Sequence, residues 1–364
     1  MTAYPELPRF GPAPGTGLEQ ARERFGACAA AGVLRHALPE TAGGHGTSFK
    51  TLVAIHEQLG ADTRDPGLVL AINAHLWGAV FPLLRFGSAQ QQARWLPPLL
   101  DGSLIGGHAI TEPQAGSDTR ALQTAAADSG EGFLLNGHKR YITNTPLASL
   151  MVVYALEPAA TGISAFLVTP DDKGAAFRNG PAVKGCATAG MGDILLHDCL
   201  LPRDRRLGAA GAGGTMIQLA LELERAMIFA GMTGVMTWQL KTVVDYTRKR
   251  RAGGGYLCEA QGIAHRIAEM KLRLETSRLW INRCAERLDS GKRITLESAQ
   301  TKLYASEAFL QSSLDAAHIL GAAGLEGELP GLVQDAMAGR LMSGSSEIQK
   351  NIIAAMLGLT GRKS

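Results

Sequence analysis

Two polar segments and one acid are the chemically informative features of this chain. The first segment, AITEPQAGSD, runs from Ala109 to Asp118, and the second, NGHKRYITN, runs from Asn136 to Asn144. Each offers one threonine hydroxyl in a stretch that is otherwise apolar or contains glycine, and Gly116 and Gly137 let backbone approach a ligand closely. The pair predicts a binding site for a planar ring that makes hydrogen bonds.

The acid is Glu224, in the stretch LALELERAMIFAGM from Leu219 to Met232, which is apolar on almost every side of a helix. An unpaired carboxylate is costly to bury there. Burial raises the pKa of a carboxyl group and makes it a stronger proton acceptor, so this setting indicates a catalytic base. A second interpretation stays open, in which Glu222 pairs with Arg225 three positions along and Glu224 faces solvent.

Length and composition limit the class of protein. A chain of 364 residues exceeds a typical single domain, so two or three domains are expected. The fractions of 46% hydrophobic and 19% charged residues are typical of a soluble globular protein. A net charge of +3, with one basic run at 248–251 that contains no aromatic residue, argues against a nucleic-acid partner.

Cysteine usage and hydropathy indicate a cytoplasmic protein with no metal. Five cysteines are scattered without a Cys-x-x-Cys spacing, which fits a reducing compartment and argues against zinc. No signal peptide is predicted, and without a run near ~18 uninterrupted apolar residues no membrane insertion is expected. We expect His108, His138 and His265 to be structural or to contact residues of the site, because none has metal-ligand spacing.

The order of periodic patterns predicts three parts. Up to about Leu100, apolar positions at helical spacing alternate with glycine and proline breaks. Short apolar runs between turn residues predict an antiparallel β region over 104–201. A long helix over 215–251, ended by Gly253–Gly255, is followed by further amphipathic helices that predict a bundle. The expected domains are 1–105, 106–210 and 211–364. One bundle helix is expected to pack through Leu296, Ala299, Leu303, Leu310, Leu314 and Ala317.

At the two polar segments the chain resembles the acyl-CoA dehydrogenase family of flavoproteins, and the order of helical, β and helical parts agrees over nearly the whole chain. The resemblance implies an α+β, mostly helical fold, with an N-terminal helical domain, a middle β-barrel and a C-terminal four-helix bundle. It implies bound FAD, with the first segment along the flavin and the thioester, and Thr143 near the reactive nitrogen of the flavin. The implied flavin contacts are Ile110, Thr111, Ser117, Tyr141 and Thr143, with Ser117 also at the substrate.

The resemblance also bears on the base. In isovaleryl- and long-chain-type members the base immediately precedes an arginine, as Glu224 precedes Arg225 here. Most other members take the base from a loop that reads roughly Tyr-Glu-Gly-Thr-Ser. Here that loop is Met342–Ser346, with Ser343 at the position of the glutamate, and a serine cannot deprotonate a thioester α-carbon without a base of its own. The resemblance implies Glu224 as base, with Arg225 and Ser343 beside the substrate.

The rest of the FAD site is implied by residues of the C-terminal part. Arg250 falls on the arginine that reaches the FAD pyrophosphate of a neighbouring subunit, and its planar fork suits that group. Gln261 falls on the glutamine after it, and His318 stands where the family has another glutamine. Lys249 and Arg251 are expected to be solvated.

A capping box, Ser346-Glu347-Ile348-Gln349, is expected at the start of the last helix. Through Ser345 and Glu347 this helix start is a candidate contact for the phosphate side of the flavin. The alternative, a purely structural cap, stays open.

Three positions depart from the family pattern. Gly253 replaces a phenylalanine, Ala322 replaces a glycine of a Phe-Gly-Gly turn, and Gln334 replaces an arginine. These changes fit a looser flavin, a different oligomer contact or a subunit that has lost flavin. They keep two alternatives open: a catalytically silent partner subunit of a mixed assembly, and a flavin oxidase or monooxygenase on the same fold.

The stretch Ile263–Glu275, together with Gly137-His138-Lys139, is similar to the prolyl-carrier-protein dehydrogenases of natural-product biosynthesis. This similarity implies an acyl or aminoacyl thioester as substrate, carried by an acyl carrier protein or by CoA. An electron-transfer acceptor and a homo-oligomer, a dimer or a tetramer, are implied by the family.

Overall fold

The computed structural model describes residues 17–160, 162–181 and 183–359. The α-helices in these ranges are α1 Leu18–Ala30, α2 Phe49–Thr63, α3 Pro66–His75, α4 Phe81–Phe86, α5 Ala89–Leu100, α6 Gly213–Lys249, α7 Gln261–Asp289, α8 Thr295–Leu320, α9 Leu329–Gly339 and α10 Ser346–Met356. The strands are β1 Gly106–Ala109, β2 Ala125–Asp128, β3 Gly132–Ile142, β4 Leu150–Glu157, β5 Gly162–Val168, β6 Ala175–Asn179, β7 Gly192–Pro202, β8 Arg206–Leu207, β9 Arg251–Ala252 and β10 Gly255–Tyr256. The predicted order of helical, β and helical parts is confirmed, whereas the domain boundaries stay a prediction.

Two of the N-terminal helices, α2 and α3, begin at clear capping residues. The Ser48 hydroxyl accepts from the backbone N–H of Thr51 at the start of α2, and the Asp65 carboxylate accepts from Leu68 at the start of α3. A π-helical turn, Leu76–Val80, joins α3 to α4. By length and composition the stretch Pro66–Phe86 passes as a membrane span, but 89% of its most apolar window is buried inside the protein. It is a core helix of the N-terminal part.

The middle part is an eight-stranded sheet with the order β6-β7-β3-β2-β4-β5-β8, and β1 pairs in parallel with β4. His108 lies opposite Val152 in that pairing. Because side chains alternate along a strand, Leu150, Val152 and Tyr154 pack on one face of β4 against α5 and α6, and Met151 and Val153 pack on the other. Both faces of the central strand are therefore buried, and one of them faces α6.

The long helix predicted over 215–251 is confirmed as α6, which spans Gly213–Lys249. The glycines that were expected to end this helix lie beyond its end at Lys249. Gly253 and Gly254, with φ of +61° and +91°, form the two-residue turn of a hairpin between β9 and β10. Such turns need positive φ at both central residues, which glycine adopts without strain.

Packing of α8 differs from the prediction. Leu303 and Leu310 are only half-buried and Leu314 is 44% exposed. The fully buried face instead carries small and polar residues: Ser298, Ala299, Thr301, Lys302, Ala305, Ser306, Ser312 and Ser313. Thr301, Ser312 and Ser313 make hydrogen bonds to neighbouring helices, to Trp280, Arg273 and Gln239 respectively, so the helices approach closely without a leucine seam.

The crossing of α2 and α6 depends on glycine. A Cβ added at Gly60 would lie 1.8 Å from the backbone oxygen of Gly231. We expect Gly60→Ala to destabilise the protein by about 3 kcal/mol, because one backbone must move away from the other. Gly26→Ala is the matched control, since it lies on the exposed side of α1 with nothing within 4 Å of an added Cβ. The control is expected to stabilise by about 0.5–1 kcal/mol. Urea unfolding measures both, and equal effects would contradict the close crossing.

Candidate active site

The central helix carries Glu224 into the interior. Side chains from Glu222 to Met236 on α6 are all buried, so this part of the helix is surrounded by protein on every side. The side chain of Glu224 is 5% exposed. Among the described residues no lysine or arginine forms an ion pair with it, which is unusual for a buried carboxylate.

Both oxygens of Glu224 have a polar neighbour. The Ser343 hydroxyl donates a hydrogen bond to Oε2 over 2.8 Å. His108 Nε2 lies 3.7 Å from Oε1, which is outside hydrogen-bond distance. The carboxylate is thus fixed through Oε2, and Oε1 is the oxygen without a hydrogen-bond donor.

The interpretation that left Glu224 in solvent is wrong. Glu222 does not pair with Arg225: it accepts hydrogen bonds from Arg293, at 2.6 and 3.0 Å, and from the Thr295 hydroxyl. Arg225 Nε donates instead to the backbone oxygen of Ser343 over 3.0 Å. Burial lowers the pKa of Arg225, and the charges of Glu224 and Glu222 oppose that shift.

The turn that holds Ser343 is fixed from two directions. Ser343 has a φ of +52°, a left-handed conformation that is costly outside glycine, and Gly344 follows with +92°. Gln349 Nε2 donates to the backbone oxygens of Ser343 and Gly344, at 3.3 and 2.8 Å. With Arg225 on the same Ser343 oxygen, this turn presents the hydroxyl to Glu224 in one orientation.

A buried ion pair joins the two polar segments. Lys139 Nζ, in the second segment, donates to Glu112 Oε1 over 2.7 Å and to the backbone oxygen of Ile110 over 3.0 Å, both in the first segment. The two side chains are 0% and 2% exposed. The backbone N–H of Arg140 also donates to the Thr111 oxygen. These contacts hold the segments at a fixed spacing.

The two members of this pair have shifted pKa values. Burial raises the pKa of Glu112, but hydrogen bonds from Lys139 and from residues 123 and 124 outweigh it and hold the pKa at about 2. Burial lowers the pKa of Lys139 to about 8, against the opposing effect of Glu112. Glu112 therefore stays ionised at neutral pH, and Lys139 is held charged by its partner.

The predicted ring-binding residues lie around this joined pair of segments. Ile110 is buried, Thr111 and Thr143 are half-buried, Ser117 is exposed, and Tyr141 is 50% exposed with a φ of +57°. Asn144 follows with a φ of +67°, and its amide donates to the backbone oxygens of Ala71 and Gly106. Asn144 thus pins the turn that carries Thr143.

The two glycines of the segments have different roles. A Cβ at Gly137 would lie 2.3 Å from the Thr124 hydroxyl. This glycine therefore allows the close approach of Thr124, whereas the sequence had suggested that it allows the close approach of a ligand. Gly116 is exposed, and an added Cβ there would meet nothing within 4 Å. Only the first segment keeps the open backbone that the sequence suggested.

The residues expected to bind the phosphate and adenine part of FAD lie apart from the two ring-binding segments. Arg250, Gln261, His318 and Glu347 are exposed, and no hydrogen bond among the described residues links them to either segment. The predicted capping box is wrong. The cap of α10 is Ser345, whose hydroxyl accepts from Ile348, while the Ser346 side chain is directed away to Glu307, to which its hydroxyl donates.

His108 lies beside Glu224, which agrees with the expectation that it is structural or contacts a residue of the site. The one signal for it is its position directly before the first segment, on an expected strand; which face of that strand it occupies depends on the pairing of β1 with β4. Among the described residues no group of histidine, cysteine and acid side chains is suited to a metal ion.

The sequence was compared with known families. The chain matches the acyl-CoA dehydrogenase N-terminal domain over residues 15–103, the middle domain over 107–199 and the C-terminal domain over 211–358. The chain belongs to the acyl-CoA dehydrogenase family. The predicted family and fold class are confirmed by these matches.

Several relatives of this acyl-CoA dehydrogenase family member are similar over most of their length. L-prolyl-[peptidyl-carrier protein] dehydrogenase of Pseudomonas fluorescens is 37% identical, over 91% of this chain and 89% of that protein. Mitochondrial short-chain specific acyl-CoA dehydrogenase of Mus musculus is 34% identical, over 90% and 80%. The crystal structure of the prolyl acyl carrier protein oxidase AnaB superposes with a TM-score of 0.90 at 34% identity, covering 94% of this chain and 92% of that one. PigA with FAD and proline gives a TM-score of 0.90 at 33% identity, with the same coverage.

The residues of the site fit the flavin ring of FAD. The hydroxyls of Thr111 and Thr143 make no hydrogen bond to another described residue, and both side chains are half-buried rather than covered. Gly116 and Ser117 leave backbone accessible beside them. Neutral hydroxyls and backbone amides suit an uncharged ring with several hydrogen-bonding atoms.

Replacement of Lys139 tests whether its ion pair with Glu112 holds the two segments together. We expect Lys139→Met to destabilise the protein by about 3–5 kcal/mol and to release bound flavin, because Glu112 would be left as a buried charge without its partner. Lys241→Met is the matched control, because Lys241 forms an exposed pair with Asp245. The control is expected to cost about 0.5 kcal/mol or less. Thermal unfolding and flavin content are measured for the two variants. A small effect of Lys139→Met on stability and on flavin content would argue against a structural role for the ion pair.

The pKa of Glu112 predicts a pH dependence. Its folded value of about 2 lies below the usual 4.5, so its contribution to stability is present above pH 4.5 and is lost as the pH falls through 2. The free energy of unfolding of the wild type minus that of Glu112→Gln is expected to shrink between these two pH values. A difference that is constant with pH would show that Glu112 keeps its ordinary pKa.

Proposed function

We propose that this chain is an FAD-dependent dehydrogenase that introduces a double bond next to the carbonyl of an acyl thioester, with Glu224 as the base. The observation that carries the proposal is a carboxylate that is buried on an apolar helix without a cationic partner, with one oxygen fixed by Ser343 and the other left without a donor. A positioned carboxylate of this kind is suited to general-base catalysis.

Glu224 Oε1 takes the proton from the α-carbon of the acyl group. Bound FAD supplies the acceptor for the hydride that leaves the β-carbon. Ser343 keeps the carboxylate in one orientation, and Arg225 keeps Ser343 in place through its backbone oxygen. The near-complete burial of Glu224 excludes water that would compete for the proton.

The segments divide the remaining work. Ile110, Thr111, Tyr141 and Thr143 hold the flavin ring, and Ser117 contacts both the ring and the substrate. Arg250, Gln261, His318, Ser345 and Glu347 bind the phosphate and adenine side. The exposure of most of this second group in a single chain supports a cofactor shared between subunits, so the proposal includes a homo-oligomer, a dimer or a tetramer.

The substrate is an acyl or aminoacyl group on a carrier protein, with CoA as the alternative carrier. The similarity to prolyl-carrier-protein dehydrogenases over about nine-tenths of the chain supports the carrier protein. The similarity to the CarC subunit of a caffeyl-CoA reductase-Etf complex, at 30% identity, supports an electron-transfer protein as acceptor. A cytoplasmic location follows from the scattered free cysteines.

A second candidate keeps the same base and passes electrons to oxygen. The similarity to AnaB, described as an oxidase, favours it. Peroxide formed in step with substrate consumption would support the oxidase, whereas turnover that requires an added electron acceptor supports the dehydrogenase. The hydrogen bonds that hold Glu224 and Ser343 argue against a catalytically silent partner subunit. A buried carboxylate costs stability, and a silent subunit would gain nothing from it.

Replacement of the base tests the proposal. Glu224→Gln is expected to lower turnover by about 10²–10⁴-fold, because the amide cannot accept the proton, while FAD stays bound. Glu222→Gln is the matched control on the same helix, since Glu222 pairs with Arg293 and Thr295. The control is expected to retain turnover per bound flavin.

The measurement is the rate of product formation from prolyl, butyryl and isovaleryl thioesters of carrier protein and of CoA, with an artificial electron acceptor. Full activity of Glu224→Gln with bound FAD would exclude Glu224 as the base. Wild-type protein that binds FAD without reacting with any of these thioesters would contradict the dehydrogenase itself.

A further inference from the structure

His108 lies in a space made for it beside the base. It projects from β1 toward α6, with Nε2 3.7 Å from Glu224 Oε1 and a side chain that is 12% exposed. The residue that faces it from the π-helical turn is Gly78, where an added Cβ would lie 2.9 Å from His108 Cγ. Any larger residue at position 78 would displace the imidazole. The glycine at position 78 therefore leaves the space that the His108 ring occupies next to Glu224.

The other buried histidines near the sheet have different surroundings. Both ring nitrogens of His75 have backbone partners, Leu99 O at 3.0 Å and Gly106 N at 3.0 Å, and burial lowers the pKa of His75 to about 4. Burial likewise lowers the pKa of His56 to about 4. His108 Nδ1 is buried and has no hydrogen-bond partner among the described residues, so the ring is not held in one tautomer by a structural contact.

The charged groups around His108 leave it as the natural proton partner of Glu224. From α6 come Glu224 and Arg225, whose guanidinium is engaged by Ser343. From β4 comes Tyr154, whose pKa is raised by burial and by the charge of Glu224, so it stays protonated at neutral pH. The π-helical turn and the Ser343 turn contribute no titratable group.

One further buried cation lies near Arg225. Burial and Arg225 lower the pKa of Lys302, on α8, to about 7, but its Nζ donates to the backbone oxygen of Arg340. Lys302 is therefore engaged by the Arg340 backbone oxygen, and replacement of His108 leaves that hydrogen bond unchanged.

We propose that His108 relays the substrate proton: after Glu224 Oε1 has taken the α-proton, His108 Nε2 accepts it and restores the carboxylate. The α-carbon–hydrogen bond breaks as the oxygen–hydrogen bond forms, and that bond breaks in turn as the nitrogen–hydrogen bond of an imidazolium forms. No electron is exchanged in the second step. An imidazole nitrogen with a free lone pair is a common proton acceptor in general acid–base catalysis.

This inference rests on Glu224 as the base, and it assigns His108 a role that acts through Glu224. His108 is thus a positioning residue. The distance of 3.7 Å exceeds hydrogen-bond range by roughly 0.5 Å, a gap that rotation of either side chain closes. Without the relay, a proton left on Glu224 would be shut in a site that is 4% exposed, and the base would be regenerated slowly.

The test separates the first turnover from later ones. Wild-type holoenzyme, His108→Gln and His108→Phe are mixed without oxygen with the best acyl thioester, and flavin bleaching is followed by stopped flow. Steady-state turnover is then measured with an artificial electron acceptor from about pH 5 to pH 9, across the range where an imidazole titrates. His265→Gln is the control, because His265 is exposed on α7.

In the first turnover the base begins ionised, so bleaching in both His108 variants is expected within about twofold of wild type. Later turnovers are expected to be slowed about tenfold or more, with little change in KM. The pH profile of kcat is expected to differ between wild type and both His108 variants, because the group that takes the proton from Glu224 has changed. His265→Gln is expected to match wild type.

The inference is overturned if the His108 variants match wild type in all phases, or if bleaching and later turnover slow by the same factor, since the latter is the result of a merely structural role. Flavin content and thermal unfolding of each variant identify loss of fold, and His108→Gln, which keeps a polar side chain of similar reach, guards against it. Failure of wild-type flavin to bleach would instead contradict the proposed function.

Discussion

The cost of burying the carboxylate of Glu224 is the constraint on which the other features of the site depend. A charge on an apolar helix is tolerated only where its surroundings replace part of the water that it has lost. Here the replacement is one hydroxyl, from Ser343, on a turn whose left-handed backbone is itself costly and is held by Arg225 and Gln349. The arrangement neutralises no charge, so Oε1 stays able to accept a proton. A cationic partner would have stabilised the ionised carboxylate and weakened it as a base.

The same principle operates differently on the sheet. There a buried charge is fully paired: Lys139 and Glu112 neutralise each other and bind backbone groups on both segments. That pair fixes the spacing of the two segments that carry Thr111 and Thr143. Glu112 thus has a structural role, whereas Glu224, on α6, is left available to accept a proton. The contrast explains how these two of the buried glutamates come to differ in their pairing.

Much of this was predictable from sequence, because the signals are local. The apolar stretch around Glu224 predicts a central helix, and the two polar segments predict a ring-binding site at Thr111 and Thr143. What the sequence could not supply are contacts set by tertiary pairing. The position of His108 depends on which face of β1 meets α6, and the partner of Glu222, Arg293, lies 71 positions along the chain. The helix start at Ser345 was misplaced by one residue because a distant acid, Glu307, occupies the Ser346 hydroxyl.

The central claim, that Glu224 removes the α-hydrogen, is tested most directly by hydrogen exchange at that carbon. A thioester whose β-carbon carries no hydrogen, bound to the FAD-loaded protein in D₂O, cannot be dehydrogenated, so any deuterium gained at the α-carbon reports proton abstraction alone. Mass spectrometry of the recovered thioester is expected to show α-deuterium with wild-type protein and none above the buffer background with Glu224→Gln. Equal incorporation by the two proteins would show that another group removes the proton, and the account of the site given above would be wrong.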